Sequence, residues 1–295
     1  MYFPIADIEV QPWLPPLIAF CISFFTSMSG VSGAFLLLPF QVSYLGFDTP
    51  SVSATNHLFN IIAIPGGVYR YIRDGRMVWP LAWAVIIGTL PGVLAGTVIR
   101  TRFLLDPTLF KCFIGIVLLY IGGKLLSTAQ TKKKKQEAQP LSPFSGESIS
   151  QPWINYKTLG FTFRGENYQA PTQKIMLLSL VVGLIGGIYG IGGGALMAPF
   201  FVSLFGLPIY TVAGAALMGT FVTSLAGVIS FQILSLFFPG AAVAPDWGLG
   251  ILFGAGGFVG MYCGAKMQRY VPARLIQTVL AGSILFVALR YLTVF

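Results

Sequence analysis

A glycine-centred apolar segment occurs twice in this sequence, and its backbone has the chemistry of an anion site. The first copy begins at Gly30 and reads GVSGAFLLLPF, and the second begins at Gly190, 160 residues later, and reads GIGGGALMAPF. Eight of seventeen aligned residues are identical. A helix that starts directly after such glycines presents unpaired backbone N–H groups and a partial positive charge. Two of these segments predict one binding site for a small oxyanion that requires no lysine.

Hydroxyl and amide side chains near the two segments complete the predicted site. Ser53, Asn56, His57 and Asn60 are spaced i, i+3, i+4 and i+7, so a helix puts them on one face. Such groups are costly within an apolar helix unless they line a cavity or pair with one another. The equivalent positions of the second half are mostly apolar, so we expect an asymmetric site. The predicted substrate-binding residues are Ser29, Gly30, Ser32, Gly33, Asn56, His57, Asn60, Gly190, Gly192, Gly193, Gly194, Thr220 and Ser224.

The composition assigns these segments to a membrane. The chain is 55% hydrophobic and 9% charged, with a mean hydropathy of +0.79, and would be insoluble as a water-exposed globule. Its net charge of +9 comes from basic residues at the ends of apolar runs, a pattern that sets membrane topology rather than nucleic-acid binding. The three cysteines are far apart and form no CxxC pair, so we expect no disulfide, metal or cofactor site. The predicted partners are membrane lipid and a small anion.

His57 is the only histidine of the chain and has two interpretations. An imidazole titrates at about pH 6.5 in water, so it could donate a hydrogen bond to the anion and also carry the proton of a coupled cycle. Alternatively, it lies near the membrane interface and satisfies only neighbouring backbone. The glycines have a second interpretation too, since small residues serve close helix packing. The sequence leaves both alternatives open.

Each half of the chain divides into five apolar pieces, of which the first two are too short to cross a membrane alone. The glycine joints between them predict the tips of re-entrant hairpins or breaks within tilted helices. The predicted fold class is an all-α polytopic membrane protein with two inverted structural repeats, each with a glycine-tipped re-entrant or broken helix pair plus three transmembrane helices. Residues 1–127 form the first membrane repeat, residues 128–173 a cytoplasmic linker and residues 174–295 the second membrane repeat. The predicted helices cover residues 14–28, 34–45, 51–70, 78–99, 108–126, 174–188, 195–205, 209–231, 247–265 and 273–291.

The charge distribution predicts the orientation of the two halves. An odd number of crossings per half inverts the second half, whereas four plain spans per half would make the repeats parallel. Basic residues cluster at 70–76, 132–135 and 266–274, which the positive-inside rule assigns to the cytoplasm. The acidic N-terminus and the loop around Asp246 then lie outside. The basic loop at residues 100–111 disagrees, because the same scheme puts it outside as well.

Both glycine segments, the run from Ala54 to Asn60 and the pair Gly75-Arg76 carry a family resemblance. The chain resembles the sulfite exporter TauE/SafE family of membrane permeases over nearly its whole length outside the linker. The resemblance implies a multi-span permease of a prokaryotic cytoplasmic membrane that moves sulfur oxyanions such as sulfite, sulfoacetate or related organosulfonates. It does not identify the substrate, and the direction of transport varies among members.

The function we predict is secondary transport of a small sulfur-containing oxyanion by alternating access, as proton-coupled export. Two alternatives use the same fold: a passive anion channel, and an importer of thiosulfate or a sulfonate. An intramembrane enzyme is disfavoured, because the spans contain no carboxylate pair, no cluster of metal ligands and no nucleotide-binding motif. The coupling ion, the direction of net flux and the oligomeric state stay open.

Overall fold

The computed structural model describes residues 1–131, 149–271 and 273–293, which are mostly helical. In this part of the chain the helices are α1 (Leu14–Ser27), α2 (Ala34–Ser43), α3 (Ser51–Arg73), α4 (Trp79–Phe103), α5 (Pro107–Thr131), α6 (Thr172–Tyr189), α7 (Met197–Leu204), α8 (Ile209–Ser235), α9 (Trp247–Met267) and α10 (Ala273–Thr293). The strands are β1 (Tyr2–Phe3), β2 (Ile8–Glu9), β3 (Ser150–Ile154), β4 (Thr158–Phe163) and β5 (Glu166–Pro171). Each predicted helix is present, within five residues of its predicted bounds.

Four of the described helices, α4, α6, α8 and α9, are long and apolar enough to cross a membrane. The prediction that α6 is too short was wrong, because the helix begins earlier, at Thr172, and has 18 residues. α1, α2 and α7 have 14, 10 and eight residues, and at about 1.5 Å per residue none of them crosses alone. α3 has 23 residues but is less apolar, since buried polar residues including Asn56 and Asn60 lie along it.

Two small antiparallel sheets correct the prediction of an all-α fold. β1 pairs with β2 at the N-terminus. β3, β4 and β5 form a three-stranded sheet, in that order, within the segment predicted as a linker. Leu159, Phe161 and Phe163 alternate along β4 and are buried against the helices. Residues 132–148 of the predicted linker lie outside the described residues.

Glycines let the helices pack backbone against backbone. α4 runs along α6, and α9 runs along α1, with glycines of α4 and α9 at every fourth residue of the contact. A methyl group on Gly88 would lie 2.6 Å from the Cβ of Ser179, and one on Gly256 would lie 2.5 Å from the carbonyl carbon of Pro16. Both distances are shorter than a side-chain carbon tolerates, so a larger residue would separate the helices.

The pairing of helices is unchanged when the two halves of the chain are exchanged. α1 packs on α9 as α6 packs on α4, and α3 packs on α9 as α8 packs on α4. α3 and α8 also pack on each other, and α5 packs on α10. α3 and α8 run antiparallel: Asn60 bonds to Ser224, whereas Tyr71, later in α3, contacts Gly214, earlier in α8. The third helices of the two halves therefore cross the core in opposite directions.

The two glycine segments begin with the same backbone turn. Gly30 and Gly190 follow α1 and α6 in the left-handed conformation, with φ of 73° and 82°. In each turn the N–H of the next residue returns to a carbonyl of the last helical turn, at 3.2 Å from Thr26 and 3.0 Å from Gly186. Only glycine adopts this conformation without strain, so both turns depend on it.

The two ends of α3 have different surroundings and define the two sides of the molecule. At its start, Asp246 accepts hydrogen bonds from two backbone N–H groups of the N-terminal hairpin, at 3.2 and 3.3 Å. At its far end, a backbone hydrogen bond of 3.2 Å from Ile149 to Gly75 ties the segment before β3 to the α3–α4 loop. We refer to the two sides as the Ser51 end and the Arg73 end.

Candidate functional site

Asn60, in the middle of α3, touches both glycine segments. The hydroxyl of Ser32, in the first segment, donates to its Oδ1. Its Nδ2 donates to the backbone carbonyl of Ile191, in the second segment, at 3.0 Å and to the Oγ of Ser224 on α8 at 3.2 Å. The side-chain amide of Asn60 thus joins the two glycine segments, and its partner Ile191 lies 131 residues away in the chain.

His57 extends this network by one turn of α3 towards the Ser51 end. Its Nδ1 lies 3.3 Å from the Oγ of Ser224, and its Nε2 is buried without a hydrogen-bond partner. The Ser224 hydroxyl accepts from Asn60, and the tautomer of His57 decides whether Ser224 or Nδ1 is the donor in their contact. We call Ser32, His57, Asn60 and Ser224 the central cluster; it joins α3 and α8 to the first segment directly and to the second through Asn60.

Asn56 lies one turn before Asn60 but holds a different element. Its Nδ2 donates to the carbonyl of Ala34, the first residue of α2, at 3.1 Å. Its Oδ1 accepts from the Nε2 of Gln41 at 3.0 Å. The Asn56 side chain therefore fixes α2 against α3. The polar face of α3 thus bonds to α2 through Asn56 and to the glycine segments and α8 through Asn60.

α8 packs directly onto the consecutive glycines of the second segment. The N–H of Gly193 donates to the Oγ1 of Thr223 at 3.0 Å. A methyl group on Gly192 would lie 2.8 Å from the Oγ of Ser224, and one on Gly194 would lie 2.5 Å from a backbone nitrogen of α8. The absence of side chains at these positions is what lets the segment reach the central cluster.

The leading glycine of each segment packs on the third helix of the opposite half. A methyl group on Gly30 would lie 2.7 Å from the Cβ of Ala213 in α8, and one on Gly190 would lie 2.5 Å from the Cα of Ser53 in α3. Ala213 and Ser53 are separated by the same 160 positions as the two glycines. The two contacts are therefore equivalent in the two halves.

Two of the predicted hydroxyl groups do not join the central cluster. The Oγ of Ser29 donates to the carbonyl of Thr26 at 2.8 Å, and the Oγ1 of Thr220 donates to the carbonyl of Ala216 at 2.9 Å. Both bonds return to a carbonyl three or four residues earlier, which is how short hydroxyl side chains satisfy themselves in helical segments.

Sequence reasoning missed three polar residues around the first segment. Ser23 Oγ, Thr26 Oγ1 and Gln41 Oε1 are buried and have no hydrogen-bond partner. A methyl group on Gly33 would lie 2.5 Å from the Oγ of Ser23, so this hydroxyl lies beside the glycine turn. A signal existed, since Ser23 and Thr26 lie three residues apart on one face of an apolar helix, as the α3 residues do.

All thirteen predicted site residues are buried. Asn56, His57, Asn60, Ser32, Thr220 and Ser224 have no exposed surface, and Ser29 has 3%. Solvent does not reach the central cluster, so an anion can enter it only after helices move.

Within the described ranges, no group of three or more His, Cys, Asp or Glu side chains could hold a metal ion. In the same part of the chain the three cysteines are free. The central cluster consists of hydroxyl, amide and imidazole side chains together with backbone groups.

The sequence profile of the sulfite exporter TauE/SafE family matches residues 16–291. This chain belongs to the TauE/SafE family. A curated relative, "Probable membrane transporter protein YunE" of Bacillus subtilis (strain 168), is 25% identical over 189 residues, which is 62% of this chain and 64% of the relative's length. No solved structure matches the chain. The TauE/SafE match confirms the family resemblance, and the four apolar helices agree with a multi-pass membrane protein.

Proposed function

We propose that this protein is a secondary transporter that exports a small sulfur-containing oxyanion, such as sulfite or an organosulfonate, across the cytoplasmic membrane. The observation that carries the proposal is the bonding of Asn60, whose amide joins Ser32 of the first glycine segment to Ile191 of the second. A group held by both halves responds when either half moves. The family description supports the class of substrate.

Two inverted halves that rock about this contact would give alternating access. The antiparallel packing of α3 and α8 supports inversion, because a two-fold axis that relates two antiparallel helices is perpendicular to them. The pairs α1–α9 and α6–α4 support rigid units, each built from both halves. Tilting one unit against the other would open the central cluster to the Ser51 end or to the Arg73 end in turn. The burial of the cluster fits an occluded state between the two.

The central cluster offers an anion hydrogen-bond donors without a fixed positive charge. The candidate donors are the hydroxyl of Ser32 and the amide of Asn60, which would exchange their bonds within the cluster for bonds to the anion. The Nε2 of His57 has no partner and is a further donor when it carries a proton. The start of α2, within the first glycine segment, adds partial positive charge. Uncharged donors bind an anion more weakly than arginine does, so the anion can leave as well as enter. The glycine backbone keeps the space narrow, which favours a compact oxyanion.

Proton coupling, in this proposal, runs through His57. A protonated imidazole binds an anion more tightly than a neutral one, so proton and anion load from the same side. Net export then follows when the outward anion gradient exceeds the inward proton gradient. Export therefore requires that the oxyanion accumulate in the cytoplasm until its gradient exceeds the proton gradient.

The proposed orientation has the Arg73 end in the cytoplasm and the N-terminus outside. The basic loop that disagreed with this orientation contains two charges that are already engaged. The guanidinium of Arg100 is buried, donates to the carbonyl of Leu104 and lies 3.6 Å from the ring centre of Phe110. Lys111 pairs with Asp48 at 3.5 Å. The positive-inside rule counts basic residues whether or not they are paired, so this loop still disagrees with the proposed orientation.

Flux into proteoliposomes tests the proposal. We would measure uptake of labelled sulfite and sulfoacetate, with and without a pH gradient, for the wild type and for Gly193→Leu. A Cβ at Gly193 would collide with the side chain of Thr89, whereas nothing lies within 4 Å of one at Gly123, so Gly123→Leu is the matched control. Saturable flux that follows the pH gradient and is lost only in Gly193→Leu supports a coupled carrier.

Two results would refute it. Flux that rises linearly with substrate and comes with single-channel currents would mean a passive channel. Flux that survives in Gly193→Leu at the wild-type rate would mean that the glycine segments do not form the site.

A further inference from the structure

A carboxylate at the Arg73 end is held between two arginines. Asp74, directly after α3, accepts from the Nη2 of Arg70 at 2.9 Å with one oxygen and from the Nη2 of Arg76 at 2.7 Å with the other. We call these three residues the mouth cluster. Two guanidinium groups converge on one carboxylate, so the cluster retains a net charge of +1.

The mouth cluster lies at the boundary between the protein interior and its surface. The side chains of Arg76, Arg70 and Asp74 are 3%, 11% and 18% exposed. The Nε of Arg70 is buried and has no hydrogen-bond partner. A retained positive charge and an unused donor are features that a second anion would satisfy better than the single aspartate does.

The mouth cluster is connected to the end of α1, directly before the first glycine segment. The Nη1 of Arg76 donates to the Oε1 of Gln268 at 2.6 Å, and the Nε2 of Gln268 donates to the carbonyl of Met28 at 2.6 Å. Tyr71, whose ring lies 4.8 Å from the Arg76 guanidinium carbon, donates to the carbonyl of Ser27 at 3.0 Å. Arg76 therefore contacts both side chains that hold the end of α1 from this side.

We propose that the mouth cluster is a second anion-binding site, in which Asp74 occupies the position that a small oxyanion takes on its way between the Arg73 end and the glycine segments. This inference rests on the proposed transport function. Guanidinium groups bind carboxylates and other oxyanions through the same paired N–H donors, so one can replace the other. An oxyanion with three oxygens can bridge Arg70 and Arg76 and still reach the free Nε of Arg70.

The site also gives Asp74 a role in release. When the oxyanion moves on, the carboxylate returns to both guanidinium groups and prevents the anion from rebinding. Arg76 holds Gln268 whether Asp74 or the oxyanion occupies the mouth cluster. The end of α1 therefore stays connected to the mouth cluster while one anion replaces the other.

Calorimetric binding on the purified full-length protein tests the site, with anaerobic sulfite and with methanesulfonate as probes. Asp74→Asn keeps the shape and removes the competing charge, so we expect its Kd for the probes to fall about tenfold. The gain should persist in a Gly193→Leu background and disappear when Arg70→Gln is added. Asp106→Asn, an exposed carboxylate that caps α5, is the charge-matched control and should bind as the wild type does.

The failures of the two proposals are distinguishable. Flux that survives in Gly193→Leu refutes the central site. The mouth site is tested only by the Kd for the probes, so its outcome does not depend on flux. An unchanged Kd in Asp74→Asn, or an equal gain in Asp106→Asn, overturns the mouth site. Binding of short-chain phosphatidylglycerol that strengthens in Asp74→Asn, with no change for either probe, also overturns it, because the arginines would then serve a lipid headgroup.

The melting temperature and gel-filtration profile of Asp74→Asn show whether this variant folds. A second variant tests the site if it does not. Arg70→Gln in the Gly193→Leu background, with Asp74 retained, should raise the Kd for the probes about tenfold. Unchanged binding in that variant contradicts the proposal as well.

Discussion

Gly190→Ala is expected to destabilise the protein more than Gly206→Ala does, although both glycines have positive φ, 82° and 67°. Alanine in the left-handed region costs about 1–2 kcal/mol at either position. At Gly190 the added Cβ would also lie 2.5 Å from the Cα of Ser53, whereas at Gly206 nothing lies within 4 Å. Ordinary contact begins at 3.4 Å, so α3 and the glycine segment must separate by about 0.9 Å at this point.

The added contact gives the difference between the two variants. Overpacking of a tight core adds about 1–3 kcal/mol, so Gly190→Ala should cost about 2–5 kcal/mol in total and Gly206→Ala about 1–2 kcal/mol. The same shift would move the second glycine segment relative to α3 and weaken the bond from Asn60 to Ile191. Gly190→Ala should therefore lose transport as well as stability.

Thermal unfolding in detergent, followed by tryptophan fluorescence at one scan rate, measures this difference. We expect the Tm of Gly190→Ala to lie roughly 2–10 °C below that of Gly206→Ala. Equal Tm values for the two variants would refute the reasoning, because they would mean that the glycine segment does not press on α3.

Three further predictions use the same structure. Asn60→Leu should abolish saturable flux while the protein still inserts, because both glycine segments lose their common partner; flux at the wild-type rate would contradict this. His57→Gln should flatten the pH dependence of flux over about pH 6 to 8, and an unchanged rate and profile would exclude His57 as the proton carrier. Asp246→Ala should leave the N–H groups of Ile5 and Ala6 without their acceptor and cost about 1–3 kcal/mol, measured as faster proteolysis of the N-terminal hairpin; an unchanged cleavage rate would argue against the anchor.

The helices and the glycine turns could be predicted from the sequence because each follows from a local property. A long apolar run satisfies its own backbone hydrogen bonds in a membrane by forming a helix. The repeated glycines predict breaks in these helices at the same points in both halves. Gly30 and Gly190, and likewise Gly46 and Gly206, adopt positive φ in both copies. The identical residues of the repeat thus include the positions where the backbone conformation requires glycine.

The three-stranded sheet was missed because hydropathy is a weak guide outside a membrane. Its signal was present in the alternation of Leu159, Phe161 and Phe163 and in the pair Arg164-Gly165, where both residues have positive φ and turn β4 into β5. Period-two alternation in a short polar segment is easily taken for a linker that happens to contain aromatics.

The partners within the site could not be predicted from the sequence. The face shared by Asn56, His57 and Asn60 follows from helical spacing, but the bonding partner of each side chain depends on tertiary contacts. Asn56 bonds to α2, whereas Asn60 bonds to a carbonyl 131 residues away. Ser29 has a residue type suited to anion binding, yet its hydroxyl is used within its own segment.

In the proposed mechanism the two glycine segments form one site that opens to each side of the membrane in turn. Labelling of Ser32→Cys with a membrane-impermeant maleimide, after replacement of Cys21, Cys112 and Cys263, tests it most directly. Alternating access predicts that the cysteine reacts from both sides of the membrane and that sulfoacetate or methanesulfonate slows both reactions. Labelling from one side only, at a rate that neither anion changes, would exclude alternating access at the glycine segments.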